Sequence, residues 1–209
     1  MGGAAGPEVD RLTAEALRLH DRYLHEVVLA FDLCPWAEKV IREGRFRRAV
    51  IAAASPETSA IWPLVDALDD ATPVPGPVDI GFAIFPALAL PAAAFDKFTE
   101  QMRRADRARR TSSAPSPFLM AAFHPFGPSA FADAHQLVPL LRRSPDPTVQ
   151  LVRGSRLADA RGGGGADVSE AVARQNFATV AARGVASLRA VLDDIRRDRD
   201  ASYARQVLD

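Results

Sequence analysis

Apolar residues recur at helical spacing along the first thirty positions. Leu12, Ala16, Leu19, Tyr23, Val27 and Phe31 share one stripe, while Arg11, Arg18, Arg22 and Glu26 take the wet side. The pattern predicts one helix from Pro7 to Leu33. A second, short helix is expected over Pro35–Glu43, with Pro35 at its first position and Gly44 as its terminating residue. The apolar run Arg48–Ala54 has strand length. Ser55-Pro56-Glu57 then supplies a cap and a proline for a helix to about Ala71, with Ile61, Leu64, Val65 and Leu68 on one face. Thr72–Pro77 is a loop, because three of its six residues are proline. Val78, Ile80, Phe82 and Ile84 alternate with Asp79, Gly81 and Ala83, which is a strand pattern.

The same reading gives a helix over Pro91–Arg110 with Phe95, Phe98 and Met102 inward, and a Ser/Pro loop over Thr111–Pro117. A third strand follows over Phe118–Phe123 and a short helix over Asp133–Leu141. A further helix is expected over Pro147–Arg161, a glycine hinge at Gly162–Gly165, and one long final helix from Val168 to about Gln206. Strand–helix–strand–helix–strand alternation indicates the α/β class, with a small three-stranded sheet covered by helices; a mixed α+β arrangement stays open. At 209 residues the chain is expected to be a single domain, residues 1–7 being a flexible N-terminus.

Composition narrows the function more than it names it. The chain is 48% apolar and 25% charged, with a formal net charge of +0, so no global field recruits nucleic acid or an acidic membrane surface. The start, Met1–Pro7, lacks the basic and apolar regions of a signal peptide, and the apolar run Ile80–Phe95 is broken by Pro86 and Pro91. One cysteine excludes a disulfide framework and a thiolate-cluster metal site, which points to a reducing cytoplasm. His20 and His25 are five apart and do not share a helix face; His135 is expected in an exposed loop, and Trp36 and Trp62 are expected to pack. No metal site is expected. Gly162–Gly165 lacks the spacing and the following Lys-Ser/Thr of a phosphate cradle.

Chemistry concentrates at element ends. Cys34 is expected to cap the helix opened by Pro35, where unpaired N–H groups and the helix dipole favour a thiolate. His124 follows an apolar strand and sits between that strand and a Pro/Gly turn. If the two meet, the imidazole would exchange the thiol proton, as nucleophilic cysteine catalysis requires. Arg143 and Arg153, with Ser144 and Gln150 between them, could hold a small carboxylate or phosphate.

Four segments occur in a telling order: Asp32-Leu33-Cys34-Pro35-Trp36-Ala37, Ala122-Phe123-His124-Pro125, Arg143-Ser144-Pro145-Asp146-Pro147 with Leu151-Val152-Arg153, and Arg174-Gln175-Asn176-Phe177-Ala178-Thr179. From about Leu24 to about Leu188 the chain resembles the bacterial family called domain of unknown function 1415. The resemblance implies that Cys34, His124, Arg143, Ser144 and Arg153 match family positions. Arg142 stands where that pattern has Asn, and Gln150 where it has His. Gln can hydrogen-bond but cannot act as a base. The departures suggest a specialised, biosynthetic relative.

The leading expectation is a cytoplasmic small-molecule enzyme with Cys34 and His124 at its centre and an arginine anchor for a small anionic molecule. A haem or iron protein with His124 or Cys34 as axial ligand is the first alternative. A non-catalytic interaction module using the final helix is the second; its apolar positions Val172, Phe177, Val180, Val185, Leu188, Val191, Leu192 and Ile195 are expected to pack on the domain, with some available to a homodimer interface.

Overall fold

A four-stranded sheet of order β1-β2-β4-β3 divides the molecule: β1 (Phe46–Val50), β2 (Ile80–Ile84), β3 (Phe118–Phe123) and β4 (Thr148–Arg153). The computed structural model describes residues 6–34, 37–69, 78–110, 116–128, 130–154 and 166–206. β1 and β2 are parallel and joined through α3 (Trp62–Asp69). β4 lies antiparallel between β2 and β3, so β2, α4 (Ala92–Arg109) and β3 form a split βαβ unit with β4 in the gap.

The sheet is mixed, and it has one strand more than the sequence reading gave. The sequence predicts a helix over Pro147–Arg161, but Thr148–Arg153 is a strand. Residues 155–161 lie outside the described residues, as do the glycine tract 162–165, the loop segments 72–77 and 111–115, Pro35, Trp36 and residues 1–5.

Strand alternation sorts the core into two layers. Ile80, Phe82 and Ile84 join a cluster with Tyr23, Leu24, Val27, Leu137 and Leu140. Ala83, Val149, Leu151, Phe118 and Met120 join a second cluster with Leu64, Leu68, Phe95, Phe98 and Met102 from α3 and α4. Gly81 belongs to this second face, where a Cβ would come within 2.6 Å of Leu68 Cδ1; the missing side chain lets α3 approach β2. Each fully buried Phe or Leu here contributes about 1.5–3 kcal/mol.

The first layer is roofed by helices. α1 (Pro7–Arg22) starts at Gly6 with Pro7 in its first turn and Glu8 and Asp10 beside its N-terminus, a favourable placement for the helix dipole. The chain does not continue as one α-helix to Leu33. Tyr23–Leu29 forms a π-helical segment, closed by bonds from Asp32 N–H to Leu29 O and from Leu33 N–H to Val28 O. That pair is a Schellman closure, with Asp32 in the left-handed region at φ 51°. The short α2 (Ala37–Arg42) ends the same way: Gly44, at φ 64°, closes it, as the sequence indicated.

Other boundaries moved. Thr58–Ile61 is a 3-10 turn, so the helix after Ser55 begins only at Trp62. α5 (Ala134–Leu141) is capped by the Asp133 carboxylate accepting from Gln136 N–H at 2.8 Å, which puts the exposed His135 in its first turn rather than in a loop. The expected long final helix is two helices, α6 (Ala166–Arg183) and α7 (Val185–Gln206). Gly184 at φ 91° separates them, a conformation that suits glycine.

Val180, Leu188, Leu192 and Ile195 are buried in the first cluster, with Phe177, Val185 and Val191 packed against it. These seven apolar positions of the last two helices pack within the chain, as expected. Ion pairs from Arg18 and Arg22 to Asp194 and Asp198 tie α1 to α7. No helix among the described residues is long and apolar enough to cross a membrane.

Candidate functional site

Between the first sheet face and the helices above it lies a cavity of about 460 Å³. That size is ordinary for a small-molecule site, as is its largely apolar wall. Phe46, Phe82, Ala121, Phe123 and Val152 form the floor, since odd-numbered residues of β3 and even-numbered residues of β1, β2 and β4 face this side. Tyr23, Leu24 and Val28 enter from the π-helical segment. Such segments are uncommon, and frequent at functional sites. Leu119, 53% exposed, and the exposed Arg142 mark the side by which solvent reaches the cavity.

The polar members of the lining are Tyr23, Cys34, Arg142, Gln150 and Asn176. Tyr23 is buried and donates its hydroxyl hydrogen bond to Leu141 O; burial pushes its phenol well above the usual range, with Arg142 opposing. Asn176 on α6 donates from Nδ2 to Leu33 O at 3.0 Å, fixing the residue just before Cys34. Cys34 is half-buried, and its carbonyl accepts from Ala37 N–H at 3.0 Å, the first bond of the turn leading into α2.

Arg142 and Gln150 differ from these. The Arg142 guanidinium lies 5.8 Å from the centre of the Phe123 ring and makes no hydrogen bond or ion pair with the described residues. Solvent reaches it through the mouth, yet enough protein surrounds it that desolvation lowers its pKa from the ordinary value, with Tyr23 opposing. The half-buried Gln150 side chain likewise has no hydrogen-bond partner among the described residues, although it stands between Phe82 and Ala121 on the apolar floor. Polar groups in such surroundings normally find partners.

His124 does not join Cys34. Phe123 faces the cavity, and the next residue turns to the other side of the sheet. There the imidazole packs 5.9 Å from Phe95 and is 7% exposed. Its Nε2 donates to Leu90 O at 2.8 Å, and its Nδ1 accepts from Phe126 N–H at 3.2 Å. Burial lowers its pKa, only partly offset by the Leu90 carbonyl. A neutral ring with both nitrogens engaged holds a loop; it neither takes a proton from Cys34 nor offers a lone pair to an iron.

The expected anchor is dispersed as well. Arg143 donates from Nε to Pro125 O at 3.1 Å, beside a crevice of about 10 Å³, room for one water at most. Ser144 is buried and bonded to Asp146 O at 2.5 Å. Arg153 belongs to the second face, its guanidinium 5.0 Å from the Phe118 ring and donating to Leu68 O and Val78 O. Asp146, in the same motif, is fully buried and receives Arg199 Nε at 2.7 Å and Tyr203 OH at 2.8 Å. Burial raises its pKa, with Arg199 and Tyr203 opposing. The Arg-Ser-Pro-Asp-Pro segment thus docks α7, and of the sequence-predicted site residues Cys34 and Gln150 share the cavity. Arg142, Asn176 and Tyr23 were missed as site residues; Arg142 carried a signal as a departure from the resembled pattern, Asn176 as part of its fourth segment, and Tyr23 carried none.

No cluster of three or more His, Cys, Asp or Glu side chains able to hold a metal occurs among the described residues. Comparison with curated proteins and with solved structures found no match. The model of a protein family of unknown function (DUF1415) matches residues 15–190, most of the chain, and the chain belongs to that family.

Proposed function

We propose that the protein is a small-molecule enzyme whose site is this cavity, with Cys34 as nucleophile and with Arg142 and Gln150 as the polar recognition elements. One observation carries the reading. Three separate segments bring the chain's single thiol, a guanidinium and a carboxamide to one apolar hollow, and the latter two have no hydrogen-bond partner among the described residues. The positions where this member departs from the family pattern described above, Arg142 and Gln150, both belong to that hollow. This supports a ligand particular to this chain.

The chemistry that fits is thiol addition to an electrophilic carbon. The Sγ–C bond forms, the electrophile's π electrons move to its heteroatom, and the thiol proton leaves to solvent. No histidine or carboxylate among the described lining residues stands ready to take it.

Alkylation of the purified protein tests this reading. Iodoacetamide should modify Cys34 near neutral pH, a cavity ligand should slow the modification, and Cys34→Ala should lose turnover while still binding. A thiol that resists alkylation in the folded protein, or a fully active Cys34→Ala variant, rejects it. A visible spectrum separates it from haem chemistry: a Soret band lost in Cys34→Ala would replace the nucleophile by an axial thiolate.

A further inference from the structure

We infer that the cavity takes an amphipathic monocarboxylate, its head held by Arg142 and Gln150 and its apolar body of about eight to twelve carbons lying on the sheet floor. This rests on the cavity being the functional site and names its ligand class.

The head follows from charge. Most arginines whose contacts are described have acidic partners, among them Arg18, Arg22, Arg48, Arg109 and Arg199. Arg142 has no carboxylate within ion-pair distance among the described residues, Asp96 acting on it only at longer range; it lies over Phe123 at the mouth instead. A guanidinium presents parallel N–H groups that match the two oxygens of a carboxylate. The described lining holds one positive charge and no carboxylate, so one negative charge balances it. A phosphate dianion would leave a charge unmatched against an apolar wall.

Gln150 stands close enough to take part. It is directly opposite Ala121, while Phe123, under the guanidinium, is opposite Thr148. Gln150 and Phe123 are therefore diagonal neighbours on one face, about 7–8 Å apart at the backbone and bridgeable by long side chains. The Gln150 amide can donate to the carboxylate that Arg142 holds.

The body follows from the rest of the lining. Phe46, Phe82, Ile80, Val152, Leu24 and Val40 offer no hydrogen-bonding side chain. At the roughly 30 Å³ that a water-sized group occupies in a liquid, the cavity holds on the order of fifteen non-hydrogen atoms. A ten-carbon chain with its carboxylate fits that count.

Calorimetric titration of the full chain with decanoate, decan-1-ol and octyl phosphate tests the inference. Decanoate should bind at least 30-fold more tightly than either of the others. Arg142→Met should lose at least that factor for decanoate and change decan-1-ol binding less than threefold, with Arg142→Lys intermediate. Gln150→Leu should weaken decanoate by about three- to tenfold. The Arg142 backbone carbonyl, which receives His124 and Ser144 N–H, persists in every variant, and unchanged decan-1-ol binding reports a folded cavity.

Equal affinity for decanoate and decan-1-ol, tighter binding of octyl phosphate, or wild-type affinity in Arg142→Met overturns the ligand class. Iodoacetamide protection keeps the two readings apart. If decan-1-ol shields Cys34 as well as decanoate does, the cavity is the site but its ligand is not a carboxylate. If decanoate binds through Arg142 while Cys34 reacts unhindered, the ligand class stands and the nucleophile does not. If none of the three probes binds, the ligand class falls.

Discussion

His124 shows how one step along a strand reassigns a residue. Phe118, Met120 and Ala122 face α4, while Leu119, Ala121 and Phe123 face the cavity, so a reactive group one place after Phe123 falls on the α4 side. Strand parity was readable from the sequence; which face would be hollow was not, because that depends on helices packed from distant segments. His124→Ala removes the partners of Leu90 C=O and Phe126 N–H and leaves a gap beside Phe95. It should destabilise the protein by about 1–3 kcal/mol in urea unfolding. The rate of Cys34 alkylation in the folded variant should match wild type; a tenfold fall would return His124 to the site. Cys34 and Gln150 were legible as candidates because both break the local pattern chemically. Asn176 stood in the fourth resembled segment, but an Asn within a helical run gives no sign that it donates to another segment's carbonyl.

At the level of elements, the strands and helices with one apolar face were legible, and the misreadings share a cause. β4 carries Val149 and Leu151 towards the second cluster, but a polar Gln150 occupies the opposite face, so the run lacks the uniform apolar character of β2. Pro147 then suggests a helix start as readily as a strand edge. The π-helical segment left no trace, because widening a turn keeps the same residues apolar. The break at Gly184 did leave one, in a glycine amid helical residues. Gly184→Ala would force a Cβ into a left-handed conformation with only Ser187 Oγ nearby, at 3.5 Å, so strain rather than clash sets the cost. About 1 kcal/mol is expected, seen as a lower urea midpoint with an unchanged slope. The docking of α7 is more demanding. Arg199→Met leaves the buried Asp146 carboxylate without its cation and should cost about 3–5 kcal/mol. The double variant Asp146→Leu/Arg199→Met should recover much of that loss, and a double-variant loss equal to the sum of the two single-variant losses would mean the pair adds no coupling.

For the molecule as a whole, apolar clusters cover both faces of the sheet, and beside the cavity the buried interior includes an ionisable group which must stay neutral. His20 on α1 is 1% exposed, lies 4.7 Å from the Phe82 ring, and has Nδ1 buried without a hydrogen-bond partner among the described residues. Desolvation, reinforced by the positive charge of Arg48, lowers its pKa from 6.5 to about 3. Arg48 is itself paired with Asp21 at 2.5 Å, which keeps that charge in place. The unfolded chain therefore binds a proton at His20 in a range where the folded chain does not. The stability linked to His20 is fully present above pH 6.5 and declines as pH falls from there towards about 3, by up to ~1.4 kcal/mol per pH unit. Glu15, Asp106 and Asp198, whose pKa values are lowered by hydrogen bonds and arginine partners against desolvation, and the exposed Asp194, lowered by Arg22 and Arg197, add to the loss only below about pH 4.5, where unfolded carboxylates begin to protonate. The interval from pH 6.5 to 5 isolates the buried histidines. In that interval His20→Met should flatten the stability profile measured by urea unfolding, leaving the smaller slope due to His124, whose pKa is lowered in the same direction. Parallel profiles for wild type and His20→Met across that interval would show that His20 is protonated equally in both states, and that the folded interior reaches water at this point.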